Sequence, residues 1–136
     1  MSDPRDLSGV WYGSYDADRH NQSNSFIAVL EETFGAITGT ITEPDDTGRS
    51  DTRRATVAGR REGGTLAFVK HYDGSGGWSH SVDYNGHVDG EGVLVAGRWV
   101  VQALTGSFTM QREKFSAEEL EDEEEVVMRD PVDQRF

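Results

Sequence analysis

Cysteine is absent from this 136-residue chain, which removes disulfides, thiolate metal sites and cysteine nucleophiles together. Proline is scarce, at three residues, and no helix-period stretch occurs before residue 116. No apolar run approaches the length of a membrane span. The opening Met1-Ser2-Asp3-Pro4-Arg5-Asp6 lacks a basic region followed by an apolar one, so the expectation is a soluble chain located in the cytoplasm. Cations are also in deficit, with 13 Lys and Arg against 25 Asp and Glu for a formal charge of −12. Much of that sits at the end, where residues 116–136 carry nine acids and two arginines. Phosphate backbones and anionic lipids repel such a chain, so neither nucleic acid nor a membrane is an expected partner. Solubility is the plain use of the charge.

What is present points to strands. Sixteen glycines punctuate short alternating runs of Val, Thr, Phe, Tyr and Trp, the composition of an all-β protein. The length suits a single domain, residues 1–136, with one core. Turn signals then set the register, and the register predicts which residues share a face. Gly63-Gly64 pairs Glu62 with Thr65, placing Gly59 opposite Phe68, Val57 opposite Lys70 and Ala55 opposite Tyr72. A turn at Phe34-Gly35 sets Leu30 against Gly39 and Ala28 against Ile41, gathering Phe26, Leu30, Ile37 and Ile41 on one side. Asp89-Gly90 reads as a two-residue turn that pairs Val88 with Glu91, Tyr84 with Val95, Val82 with Gly97 and His80 with Trp99. A first strand near Gly9 to Tyr15 and a last near Leu104 to Arg112 join segments around 25–32, 36–43, 53–61, 65–72, 79–88 and 91–100. The fold class is thus an eight-stranded antiparallel up-and-down β-barrel spanning about residues 7–114, with a short C-terminal helix. Eight strands close a small barrel and leave no free edge; the connections look too short for the crossovers of a β-sandwich.

Gly9-Val10-Trp11 opens the first strand and Gly106-Ser107-Phe108-Thr109-Met110-Gln111-Arg112 closes the last. The pairing resembles the signature of the calycin superfamily, lipocalin-like or streptavidin-like barrels in which a G-x-W Trp sits at the closed end and a late basic residue packs across it. That resemblance implies structural roles for Trp11 and Arg112, in a cation–π contact. Secreted lipocalins carry leader peptides and usually disulfides, so the nearer likeness is to cytosolic or streptavidin-like members. Phe68-Val69-Lys70-His71-Tyr72, Val82-Asp83-Tyr84-Asn85-Gly86 and Gly97-Arg98-Trp99 resemble runs in calycin-like domains to which no activity attaches. No biotin-binding residue aligns one by one, and biotin binding is not carried over.

If Trp11 marks the closed end, the opposite mouth holds Tyr15, Tyr72, His80 and Trp99 beneath the loops Asp16 to Asn24, Glu43 to Asp51 and Asp73 to Trp78. Parity puts Lys70 on the face of Phe68 and Tyr72, and Tyr84 on that of Val82 and His80. A buried ammonium needs a counter-charge. One expectation is a small amphipathic or anionic ligand whose acid meets Lys70, Tyr72, Tyr84 and His80 while its apolar part stacks on Trp99. The alternative for Lys70 is an internal pair with an acid of the chain. Two other functions compete: a protein-interaction or oligomerisation module with a filled barrel, which would make the chain a homo-oligomer, and an isomerase or cyclase using Lys70, Tyr84 and His80.

Other signals are weaker. Asp83-x-Asn85-Gly86-x-x-Asp89-Gly90-x-Gly92 has neither EF-hand spacing nor flanking helices and reads as a hairpin. Asp73 to Gly77 lacks the Gly-Lys-Ser/Thr of a phosphate loop. His20, His71, His80 and His87 make no three-histidine site, so no metal and no cofactor is expected, and Ser79-His80-x-x-Asp83 lacks the convergence of a triad. Ser116-Ala117-Glu118-Glu119 is a capping box that starts a helix with Leu120, Val127 and Met128 on one stripe, or else the segment is an acidic interaction tail.

Overall fold

The computed structural model describes residues 3–19, 23–44 and 52–113. They form eight strands: β1 (Gly9–Ala17), β2 (Ser23–Thr33), β3 (Ala36–Pro44), β4 (Thr52–Glu62), β5 (Thr65–Tyr72), β6 (Ser81–Val88), β7 (Leu94–Val101) and β8 (Leu104–Gln111), with one 3₁₀ turn at Ser75–Gly77. Each strand pairs antiparallel with the next, and β8 returns to β1, closing an up-and-down barrel. The helix and tail expected over 116–136 lie outside the described residues. No helix among the described residues is long and apolar enough to cross a membrane.

Alternation builds the wall. Along β5, Leu66, Phe68, Lys70 and Tyr72 are buried while Thr65, Ala67, Val69 and His71 are exposed, the period of two that points alternate residues inward. The Gly63-Gly64 hairpin has the expected register, with Gly59 opposite Phe68, Val57 opposite Lys70 and Ala55 opposite Tyr72. So does the Phe34-Gly35 hairpin, with Leu30 opposite Gly39 and Ala28 opposite Ile41. Its two corner residues both take positive φ, +50° and +83°, as a tight hairpin turn requires.

The β6–β7 hairpin departs from expectation. Tyr84 lies opposite Trp99, not Val95, and Val88 opposite Val95, not Glu91; β7 begins at Leu94 rather than 91, and β6 at Ser81 rather than 79. The connection spans Asp89 to Val93 because the Asp89 carboxylate accepts backbone N–H bonds from Val93 and Leu94 at 2.8 and 3.0 Å. A side chain that caps its own loop outcompetes the two-residue turn. The displacement is an even number of residues, so every inward residue stays inward. His80 loses its expected place: it precedes β6, is exposed, and has no strand partner at Trp99.

The G-x-W end is shut. Trp11 is fully buried, its indole N–H donates to the Leu7 carbonyl at 2.9 Å, and the Arg112 guanidinium lies 4.3 Å from the ring centroid. Arg112 also donates to the carbonyls of Gly92, Ser8 and Asp6. Leu7 itself is fully buried, and its N–H donates to Glu32, whose carboxylate receives a two-pronged contact from Arg61 at 2.7 Å on each arm. The segment ahead of β1 is thus the plug of this end.

Candidate functional site

The opposite end is built around one acid. Glu43, next to last in β3, is fully buried. Its Oε2 accepts from Lys70 Nζ at 2.7 Å. Its Oε1 accepts from the Tyr15 hydroxyl at 2.9 Å and lies 3.4 Å from Arg53 Nε. The Tyr72 hydroxyl is 2.9 Å from both oxygens, and Asn24 Nδ2 donates to Tyr15 at 2.8 Å. Each contributor reaches this point by parity: Glu43 lies directly across from Arg53 in the β3–β4 ladder, and Ala55 and Val57, two and four residues beyond Arg53, face Tyr72 and Lys70 across the β4–β5 ladder.

Lys70 is 1 % exposed, and its ammonium sits 4.6 Å from the ring centroids of Tyr15 and Tyr72 and 5.1 Å from that of Tyr84. Three aromatic faces and one carboxylate therefore replace its water. Burial pushes the Lys70 ammonium below the ordinary lysine value, with Glu43 opposing that pull. Burial, then neighbouring negative charge, raises the hydroxyls of Tyr15, Tyr72 and Tyr84 above the ordinary tyrosine value, so all three stay protonated at neutral pH.

The lumen is bridged from wall to wall. β1 and β5 are diametrically opposite in an eight-strand ring, yet the hydroxyls of Tyr15 and Tyr72 are only 3.5 Å apart. Deeper in, Phe68 stacks on Tyr84 at 4.7 Å, and both meet the edge or face of Phe108 at 6.2 and 4.9 Å. Trp99 is buried against the edge of Tyr15 at 6.0 Å, and Gly106 leaves room for its indole, since a Cβ there would come within 2.3 Å of Trp99 Cζ2. Hollows of about 1030 and 390 Å³ open on the outer wall, beside Tyr12 and Leu94 in one case and Ala67 and Val69 in the other.

Of the six residues that the sequence nominates, Tyr15, Lys70 and Tyr72 converge on Glu43. Tyr84 and Trp99 pack in the barrel beside them. His80 stands at the rim, its ring 4.9 Å from Tyr72 and 5.4 Å from Trp78. Burial, then the Lys70 charge, lowers its imidazole below the ordinary value of 6.5. Trp78 carries the Arg53 guanidinium 4.0 Å from its centroid. Sequence reading missed Glu43, Arg53 and Asn24. The signal for Glu43 was there, because it ends the segment 36–43 and continues the inward parity of Ile37 and Ile41; counting it also as the start of the loop to Asp51 hid it. Asp83 and Asn85 face outward on β6, Asp89 serves its own turn, and no three His, Asp or Glu side chains among the described residues come together as a metal site.

No protein-family model and no curated protein matches the chain. Among solved structures it is similar to a redesigned β-barrel, with a TM-score of 0.64 and 14 % identity over 79 % of this chain and 92 % of that one. At that identity the likeness carries the eight-stranded antiparallel barrel and nothing of function.

Proposed function

We propose that this barrel acts from its outside, as a protein-interaction module on a filled scaffold. The observation that carries the reading is the Tyr15–Tyr72 contact across the lumen, with Glu43 satisfying the cation that the sequence leaves unpaired. An ammonium already matched to a carboxylate of the chain has no electrostatic need of a ligand acid. The two ends are sealed alike, each by an acid–cation pair with under a tenth of either side chain exposed, an arrangement suited to rigidity.

A second reading, a small amphipathic or anionic ligand at the mouth, has its own support. Lys70, Tyr15 and Tyr72 are arranged around a carboxylate, and a ligand acid displacing Glu43 would meet the same donors, beneath Trp78 and His80. Native mass spectrometry of protein purified without denaturation separates the two. The filled-scaffold reading expects the bare polypeptide mass or its multiples. A reproducible extra mass of a few hundred daltons, lost in Lys70→Met while circular dichroism stays unchanged, overturns it in favour of the ligand.

A further inference from the structure

The outer wall is unevenly charged. In the half of the β1–β2 ladder nearer the plugged end, Val10 lies opposite Val29 and Tyr12 opposite Ile27, and all four point outward with 44 to 58 % of their surface exposed. In the next strands Tyr12 is flanked by Gln111 on β8, and Ile27 and Val29 by Thr42 and Thr40 on β3; beyond Gln111 comes Leu94 on β7, itself 42 % exposed. None of these side chains is charged, in a chain where 28 % of residues are. Among the described residues, charge returns at the margins, at Asp16, Glu31 and Arg54 and, past the end of β8, at Arg112 and Glu113. Closure of the barrel has used every strand edge, so pairing by an added strand is not the attraction here; the side chains are.

We infer that this β8–β1–β2–β3 wall is the contact surface of a homodimer, with Tyr12 as its anchor. The inference rests on the interaction-module reading and names its partner as a second copy. A contiguous exposed apolar quartet with an aromatic at its centre and acids kept to the rim has the composition of an interface core. Charge selects the partner. A chain of net −12 would draw a heterologous partner by cations facing its acids, but the centre of this wall offers none to be met, its acids lying at the rim. Two copies related by a two-fold axis place neutral face on neutral face and hold their acids apart at the margins, so the like charge does not oppose contact where it forms. Four strands about 4.8 Å apart and five residues rising about 3.4 Å each span roughly 19 by 17 Å in plan, about two fifths of the usual ~800 Å² per partner, so the neutral patch forms the core of the contact and a polar rim the remainder. The hollow between Tyr12, Leu94 and Arg112 gives the tyrosine of the other copy a place to insert.

Sedimentation equilibrium of the full chain tests this. The expected result is a species of twice the 15.0 kDa chain mass, with a dissociation constant raised by roughly 30-fold or more in Tyr12→Lys, as for an interface hot spot. Val69→Lys, on the opposite wall at β5 where Val69 is also exposed, is expected to leave association unchanged, with circular dichroism reporting that both variants fold. A wild-type chain that stays monomeric at ~100 μM, or a dimer lost in Val69→Lys and kept in Tyr12→Lys, overturns the inference. So does a full-length monomer that dimerises only after residues 114–136 are removed, since that segment would then be what covers the wall. A different protein captured by a monomeric chain and lost in Tyr12→Lys removes the homodimer and leaves the interaction-module reading standing. A bound small molecule in native mass spectrometry removes that reading and leaves the dimer.

Discussion

Lys70 shows how a cation on the inward face of a strand can find its counter-charge within the chain. Its ammonium and the Glu43 carboxylate are 1 % and 0 % exposed, so neither charge is tolerable without the other. Lys70→Met is expected to cost about 3 kcal/mol in urea unfolding, toward the low end for one partner of a buried pair because Arg53 and two tyrosine hydroxyls still face the acid. The double variant Lys70→Met, Glu43→Gln is expected to recover part of that loss, and a double variant no better than the single would contradict the pairing. Arg112→Lys is expected to cost about 1–2 kcal/mol by the same assay, since an ammonium cannot reach three carbonyls and keep a planar face on Trp11. His80 gives a pH prediction. Its folded value lies below 6.5, from burial first and the Lys70 charge second, so the unfolded chain binds its proton more readily. Stability from this group is full above 6.5 and is lost as pH falls from there toward the folded value. A histidine NMR titration should find it low in the native protein and higher in Lys70→Met; a native value at or above 6.5 would contradict the packing on Tyr72 and Trp78.

At the scale of elements, turns decide register and parity decides burial, and the two fail independently. The hairpins at 34–35 and 63–64 were legible because each carries a glycine, Gly35 or Gly63, at a corner whose positive φ few other residues take without strain. The β6–β7 turn was not, because Asp89 uses its side chain to cap a longer loop, and nothing in Asp-Gly says which solution wins. Asp89→Ala is expected to lower stability by about 1 kcal/mol, two N–H donors losing a partly buried acceptor, and hydrogen exchange at Val93 and Leu94 should quicken; unchanged exchange would refute the cap. Inward glycines opposite large rings form the other device of these strands. Gly106→Val is expected to displace Trp99, costing about 2 kcal/mol, with a shifted tryptophan emission as the direct readout.

For the whole molecule, closure is what turns eight marginal strands into one body. β1 meets β8 nearly a hundred residues away, from Tyr12 with Gln111 to Ala17 with Gly106, and every other ladder is a neighbour pairing. The chain also carries a formal charge of −12. Self-repulsion of that size is screened by salt. The melting temperature is therefore expected to rise by a few degrees between about 10 and 150 mM NaCl, and a fall over that range would show that local ion pairs such as Arg98–Asp18 outweigh the net charge.

Strand number, the inward face and two of the turns follow from the order of residues alone, since alternation and glycine corners are local properties that a chain carries with it; the Trp11–Arg112 contact is what the resemblance implied, and the closure of β1 on β8 makes it. The site does not. Lys70 could be assigned to the interior by parity, but its partner lies on β3, beyond a connection whose length leaves the β3–β4 register open, and only the folded ladder sets Glu43 across from Arg53 and within reach of Lys70. Whether a buried cation awaits a ligand or already has its acid depends on distances between strands remote in sequence, and those are set by closure of the barrel.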